Sequence, residues 1–194
     1  MADMMTKGRL EAFSDGVFAI IITIMVLELR PPHGTDLESL LGLWPVFLSY
    51  LLSFLVVAIY WVNHHGLFQI ARHVDTGVLW SNNCLLFFLS LVPFSTAYMG
   101  ENSFAPFPTA VYAGSMFLCG AAYIPVRYAV MNELRSEEKF TGIAQRAVWK
   151  NYISLILYAA AIPLAYVQST IAVAVCFGVA ALYFLPNAFL GRRD

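Results

Sequence analysis

Arg9-Leu10-Glu11-Ala12-Phe13-Ser14-Asp15-Gly16-Val17-Phe18-Ala19-Ile20-Ile21-Ile22-Thr23-Ile24-Met25-Val26-Leu27 is the stretch on which the reading of this chain turns. It begins with ionisable groups and then runs uncharged from Gly16 to Leu27. A helix that crosses a bilayer needs roughly 20 mostly apolar residues. The run from about Leu10 to Leu29 meets that need, and Pro31-Pro32 ends it. A basic start (Lys7, Arg9) before the apolar run Val17–Leu27 has the outline of a signal peptide. Arg30-Pro31-Pro32 nevertheless stand where a small-residue cleavage site would be. The stretch is therefore read as a first spanning helix.

The rest of the 194 residues follows the same pattern. Apolar residues make up 60% of the chain and charged residues 12%, with mean hydropathy +0.70. Soluble domains carry roughly 25% charged residues. Most of this surface must face something other than water. Further spans are predicted at about Leu40–Ile70, long enough to tilt or project, and at Gly77–Tyr98, with a kink at Pro93. A loop with Gly100, Pro106 and Pro108 leads to Thr109–Met131, and a hydrophilic stretch, Asn132–Arg146, to Ala147–Tyr166. The last span, Thr170–Leu190, pairs with its predecessor as a hairpin through Gln168-Ser169. No strand alternation or repeat competes. The fold class is an all-α membrane protein with six transmembrane helices, residues 1–194 forming one domain.

The basic residues set the orientation. With six spans, one side holds Lys7, Arg9, Arg72, Arg127, Arg135, Lys139, Arg146, Lys150, Arg192 and Arg193, and the other only Arg30. This asymmetry places both termini in the cytoplasm and supports an even number of spans. The expected location is the cell membrane. Net charge is −1, which gives no bulk attraction to nucleic acid. Cys84, Cys119 and Cys176 lie in apolar runs and read as packing residues.

Ionisable groups inside a membrane are costly and usually face a bundle or a water path. Glu11 and Asp15, four apart, share a helix face and repel. Arg9 lies roughly 120° around the helix from Asp15, so the partner of Asp15 belongs to another helix. Asn63, His64 and His65 end the second span at this depth, and Asn82 and Asn83 begin the third. An Asp–His–Asn network across three helix ends would satisfy them. Such a network reads as a structural clasp, or as a proton-sensing or gating device. Metal binding finds little support, because adjacent histidines point about 100° apart on a helix. No metal or cofactor is expected. Beyond Asp15, Ile20, Thr23, Ile24 and Leu27 share a face, which by spacing alone is an ordinary lipid or core stripe. Asp15 points roughly 140° away from Ile20, so the two serve different surfaces.

Arg9, Phe13, Ser14 and Asp15, at these spacings on a first helix, resemble the signature of the transmembrane protein 175 family of potassium channels. The helix count, cytoplasmic termini and histidine-bearing second helix agree with that resemblance. It implies a homotetramer in the lipid bilayer with helix one lining a central pore. It further implies that Ile20 forms the narrowest constriction and that Thr23 contributes to potassium preference. Ile24 and Leu27 would continue the lining. The motif residues Arg9, Phe13, Ser14 and Asp15 would hold helix one against its neighbours. No Thr-Val-Gly-Tyr-Gly carbonyl filter is present, so the implied mechanism is a hydrophobic ring that blocks by dewetting and passes ions when it widens. K+ would be the permeant ion. The competing reading is a proton-coupled transporter or proton path through Asp15, His64 and His65. An enzyme is not expected, since no nucleophile–base pair or phosphate loop occurs.

Overall fold

The computed structural model describes residues 6–71, 73–133 and 148–184, apart from the Glu133 side chain. Helix α1 spans Lys7–Leu27. A short α2, Leu37–Leu41, is capped by Asp36, whose carboxylate accepts from the Ser39 amide at 2.7 Å. That bond also holds the Asp36 carboxyl below the usual carboxylate range. Helix α3 spans Trp44–Ile70 with Pro45 in its first turn, where a missing N–H costs nothing. It ends where Ala71 turns extended, and Asp75 then caps α4, Thr76–Ser90, through the Val78 amide at 2.7 Å. Helices α5 (Val92–Glu101), α6 (Pro106–Glu133), α7 (Val148–Val167) and α8 (Ser169–Phe184) complete the described chain.

Among the described residues, five stretches are long and apolar enough to cross a membrane: α1, α3, α4–α5 together, α6 and α7. The sixth expected span corresponds to α8, which is shorter, and Leu185 to Leu190 lie outside the described residues. So do Arg72, Arg135, Lys139, Arg146, Arg192 and Arg193, and most of the stretch Asn132–Arg146. Two boundaries differ from expectation. The second span splits, because Gly42 and Leu43 separate α2 from α3. The third is interrupted at Leu91, two residues before the kink expected at Pro93. A proline ring clashes with the carbonyl four residues back and donates no hydrogen bond, so the helix restarts with Pro93 in its first turn.

Helix α6 packs most extensively on α7 and α4, α7 pairs with α8, and α3 lies along α5. Helix α1 sits at the edge of this bundle, touching α3, α4 and α5. The α3–α5 approach is close at Gly100, where an added Cβ would stand 2.9 Å from the Val46 Cα. Ser53, Thr96 and Tyr112 join α3, α5 and α6 by hydroxyl contacts at 2.7 and 3.1 Å, so these buried groups are satisfied. Between α5 and α6, Ser103 and Phe104 take left-handed conformations (φ 49° and 59°), which cost non-glycine residues about 1–2 kcal/mol each. Burial of Phe104 against Trp44, ring centroids 5.4 Å apart, offsets this. Outward-facing side chains such as Leu51, Phe54, Trp80, Phe87, Phe94 and Ile156 are large and apolar, as a lipid-facing surface requires.

Candidate functional site: helix α1 and its polar clasp

The buried stripe of α1 is Leu10, Ser14, Phe18, Ile21 and Met25, spaced by fours and threes. This stripe faces α3, α4 and α5. Ile20, Thr23, Ile24 and Leu27 lie on the far side of the helix and are exposed in the single chain, Ile20 at 57% and Leu27 at 78%. At 100° per residue their mean direction is roughly 130° from the buried stripe. The Thr23 hydroxyl donates to the Ile20 carbonyl at 2.9 Å. Its oxygen lone pairs stay available on the exposed side.

Ser14 is the only polar member of the buried stripe, and it anchors a clasp across three helices. Its hydroxyl donates to the Leu10 carbonyl at 2.9 Å and accepts from Asn82 Nδ2 at 3.0 Å. The Asn82 oxygen lies 2.7 Å from His64 Nε2. Because the amide nitrogen of Asn82 already serves Ser14, His64 Nε2 must be the protonated nitrogen. The bonds then run in one direction, from α3 through α4 to α1, and end on a backbone carbonyl. All three side chains are buried. The His64 ring is held further by stacking on Phe68, centroids 4.4 Å apart, and by the edge of Phe18 at 5.5 Å.

The expected Asp–His–Asn network is thus a Ser–Asn–His network. Asp15 is exposed and turns to a different partner: its carboxylate accepts from the indole Nε1 of Trp61 at 2.9 Å. The Asn63 side-chain amide donates to the Ile59 carbonyl at 2.7 Å, and the Asn63 backbone carbonyl accepts from the Tyr123 hydroxyl. His65 is exposed, stacks on Trp61 and lies 2.9 Å from the Gln69 amide nitrogen. Asp15, His64 and His65 therefore each go to a separate partner. Arg9 and Phe13 stay exposed, Phe13 at 54%, so within one chain the anchoring expected of them falls to Ser14 and Asp15. The Lys7 ammonium donates to the Gln69 carbonyl at 3.2 Å, which ties the start of α1 to the end of α3.

Trp61 is the site residue that sequence reasoning missed. Its signal was depth: it lies two residues before Asn63, at the level assigned to Asp15. Among the described residues no group of three His, Cys, Asp or Glu side chains is placed to hold a metal ion.

Comparison with known proteins bears on the same segment. The model of the family described as Endosomal/lysosomal potassium channel TMEM175 matches residues 9–93, which include α1 from Arg9 onward, Trp61, His64 and Asn82. The chain is 43% identical to a potassium channel of Chryseobacterium sp. (strain P1-3), over 94% of this chain and 95% of that one. It is 36% identical to a potassium channel of Chamaesiphon minutus, over 91% and 92% of the two chains. The crystal structure of a lysosomal potassium-selective channel TMEM175 homolog from Chamaesiphon minutus matches with a TM-score of 0.81 at 31% identity, covering 94% of this chain and 98% of that one.

Proposed function

The chain belongs to the TMEM175 family, a family of channels and not of enzymes, and on that premise we propose that it forms a potassium-permeable channel of the cell membrane. Four copies surround a pore lined by α1, each a single six-helix domain with cytoplasmic termini. Ile20 makes the narrowest ring, Thr23 favours potassium one turn further out, and Ile24 and Leu27 continue the wall. The permeant K+ needs no cofactor.

The observation that carries this reading is the two-sidedness of α1. One stripe is fully used in packing, while Ile20, Thr23, Ile24 and Leu27 are left without a partner inside the chain. The same helix carries exposed Arg9 and Asp15 within a span. Charges there are costly against lipid, which favours protein or water over hydrocarbon around α1. A ring of isoleucines then acts as a gate that blocks by dewetting when narrow. The clasp of Ser14, Asn82 and His64 serves to fix the rotation of α1 about its axis. An asparagine amide with fixed donor and acceptor atoms does not shuttle a proton, which favours a structural clasp over a proton path.

Two measurements test this. Cross-linking or native mass spectrometry of the purified protein should give a tetramer; a monomer contradicts the shared pore. Liposomes holding the protein should pass potassium faster than sodium; flux that follows only the proton gradient contradicts the assignment and favours the proton path.

A further inference from the structure

A second feature lies away from α1. Helices α3, α6, α7 and α8 enclose a cleft of about 300 Å³, at the lower end of the roughly 300–1,000 Å³ that ligand pockets span. On α3 its lining runs from Val56 to Ile70, about 21 Å along the helix at 1.5 Å per residue. The cleft is thus a slot. One end, at Val56 and Ile59, is apolar and lies halfway along α3. The other lies where α3 and α6 finish and α7 begins, at Ile70, Met131 and Asn151.

Asn151, Ser154 and Tyr158 stand at i, i+3 and i+7 of α7 and line the slot as one stripe. Ser154 is satisfied, since its hydroxyl donates to the Lys150 carbonyl at 2.7 Å. Tyr123, on α6, is satisfied too, donating to the Asn63 backbone carbonyl at 3.1 Å. Asn151 and Tyr158 differ. They are 6% and 3% exposed, and among the described residues neither side chain has a hydrogen-bond partner. Their polar atoms are not sealed in the core, as Thr109 Oγ1 is, but open onto the slot. Buried polar groups in folded proteins are nearly always paired, and inside a bilayer bulk water does not supply the pairing. The slot therefore has an unmet demand for hydrogen bonds. That demand is neutral, an amide and a phenol. Arg127, the charged residue in the lining, is already engaged by another group of the protein.

We propose that this slot binds a neutral single-chain lipid, a glycerol monoester. Its hydroxyls meet the Asn151 amide, its ester carbonyl accepts from the Tyr158 hydroxyl, and its acyl chain runs along α3 toward Val56. The order of groups along the slot, amide near the open end, phenol deeper, apolar wall beyond, is the order of groups in such a molecule. Water could pair with the amide and the phenol, but it does not fill an apolar end. The site is separate from α1, so it stands or falls apart from the channel reading.

The test is thermal unfolding of the full-length protein in a neutral detergent, titrated with monooleoylglycerol or with octadecene, which has a chain of the same length and no polar head. Monooleoylglycerol should raise Tm more than octadecene. Tyr158→Phe removes only the hydroxyl and should raise the half-saturating concentration of monooleoylglycerol about fivefold. Gly66→Leu is the second variant. Gly66 lines the cleft, and nothing lies within 4 Å of a Cβ added there, so the larger side chain enters the slot without a backbone clash. It should lower the shift for both additives, and it decides the matter alone if Tyr158→Phe does not fold. Equal shifts for the two additives in the wild-type protein, or a full monooleoylglycerol shift in Gly66→Leu, would overturn the proposal. An unchanged half-saturating concentration in Tyr158→Phe would overturn it as well. So would a larger shift with oleoyl-lysophosphatidylglycerol, which would make the ligand anionic. A change of oligomeric state in Gly66→Leu with the lipid response intact would equally overturn it, assigning the cleft to a second copy of the chain.

Discussion

The carboxylate of Asp15 accepts a hydrogen bond from the indole nitrogen of Trp61 at 2.9 Å, linking α1 to α3 on the flank of the helix away from Ile20. A bond to a charged acceptor is stronger than a neutral one, though partial exposure of both residues screens it. Trp61→Phe should cost about 1 kcal/mol of stability. Asp15→Asn, which keeps an acceptor oxygen, should cost less than Asp15→Leu. Unfolding in detergent checks both, and equal losses for Asn and Leu at position 15 would remove the bond from the account.

The clasp makes a prediction about coupling. Asn82→Leu orphans the His64 N–H, and His64→Phe orphans the Asn82 oxygen, at about 1–3 kcal/mol each. The double variant has neither orphan, and phenylalanine keeps the stacking on Phe68. Its loss should fall well short of the sum. Additive losses in this double-mutant cycle would mean that the two residues do not act together.

Gly100 tests the close approach of α3 and α5. A methyl group there meets the Val46 Cα at 2.9 Å, a backbone atom that cannot swing away. Gly100→Ala should destabilise by about 1–3 kcal/mol. Gly114→Ala, on α6 with nothing within 4 Å of the new Cβ, should be neutral or stabilise by up to about 1 kcal/mol. Matching melting temperatures for the two variants would contradict the packing described.

Thr23 separates stability from selectivity. It is exposed, and its hydroxyl bonds only to its own helix at the Ile20 carbonyl. Thr23→Val should change stability by no more than about 0.5 kcal/mol. In liposomes the same variant should lower the ratio of potassium to sodium flux. An unchanged ratio removes Thr23 from the selectivity assignment.

Much of the fold was legible because bilayer length and apolar runs constrain the same residues. Spans such as Leu10–Leu29 and Thr109–Met131 correspond to α1 and α6 within a few residues. Pro93 announced a disturbance in the third span, and the interruption falls at Leu91, where its position depends on which carbonyls the ring displaces. Partner choice was not legible. Hydropathy reads Trp61 as one more apolar residue, although its indole N–H can reach a carboxylate. Depth alone brought Ser14, Asp15, His64 and Asn82 to one level, and helix rotation then decided that Ser14 points inward and Asp15 sideways. The exposure of Ile20, Thr23, Ile24 and Leu27 could be read only as a shared face.

The pore assignment of α1 is tested by ion flux in liposomes under separate potassium and sodium gradients, comparing the wild-type protein with Ile20→Asn. Ile20 is not part of the chain's core, so the variant should fold normally. Wild-type flux should favour potassium, and Ile20→Asn should raise the sodium flux toward the potassium flux. Identical selectivity in the two proteins would contradict the assignment of Ile20 as the constriction.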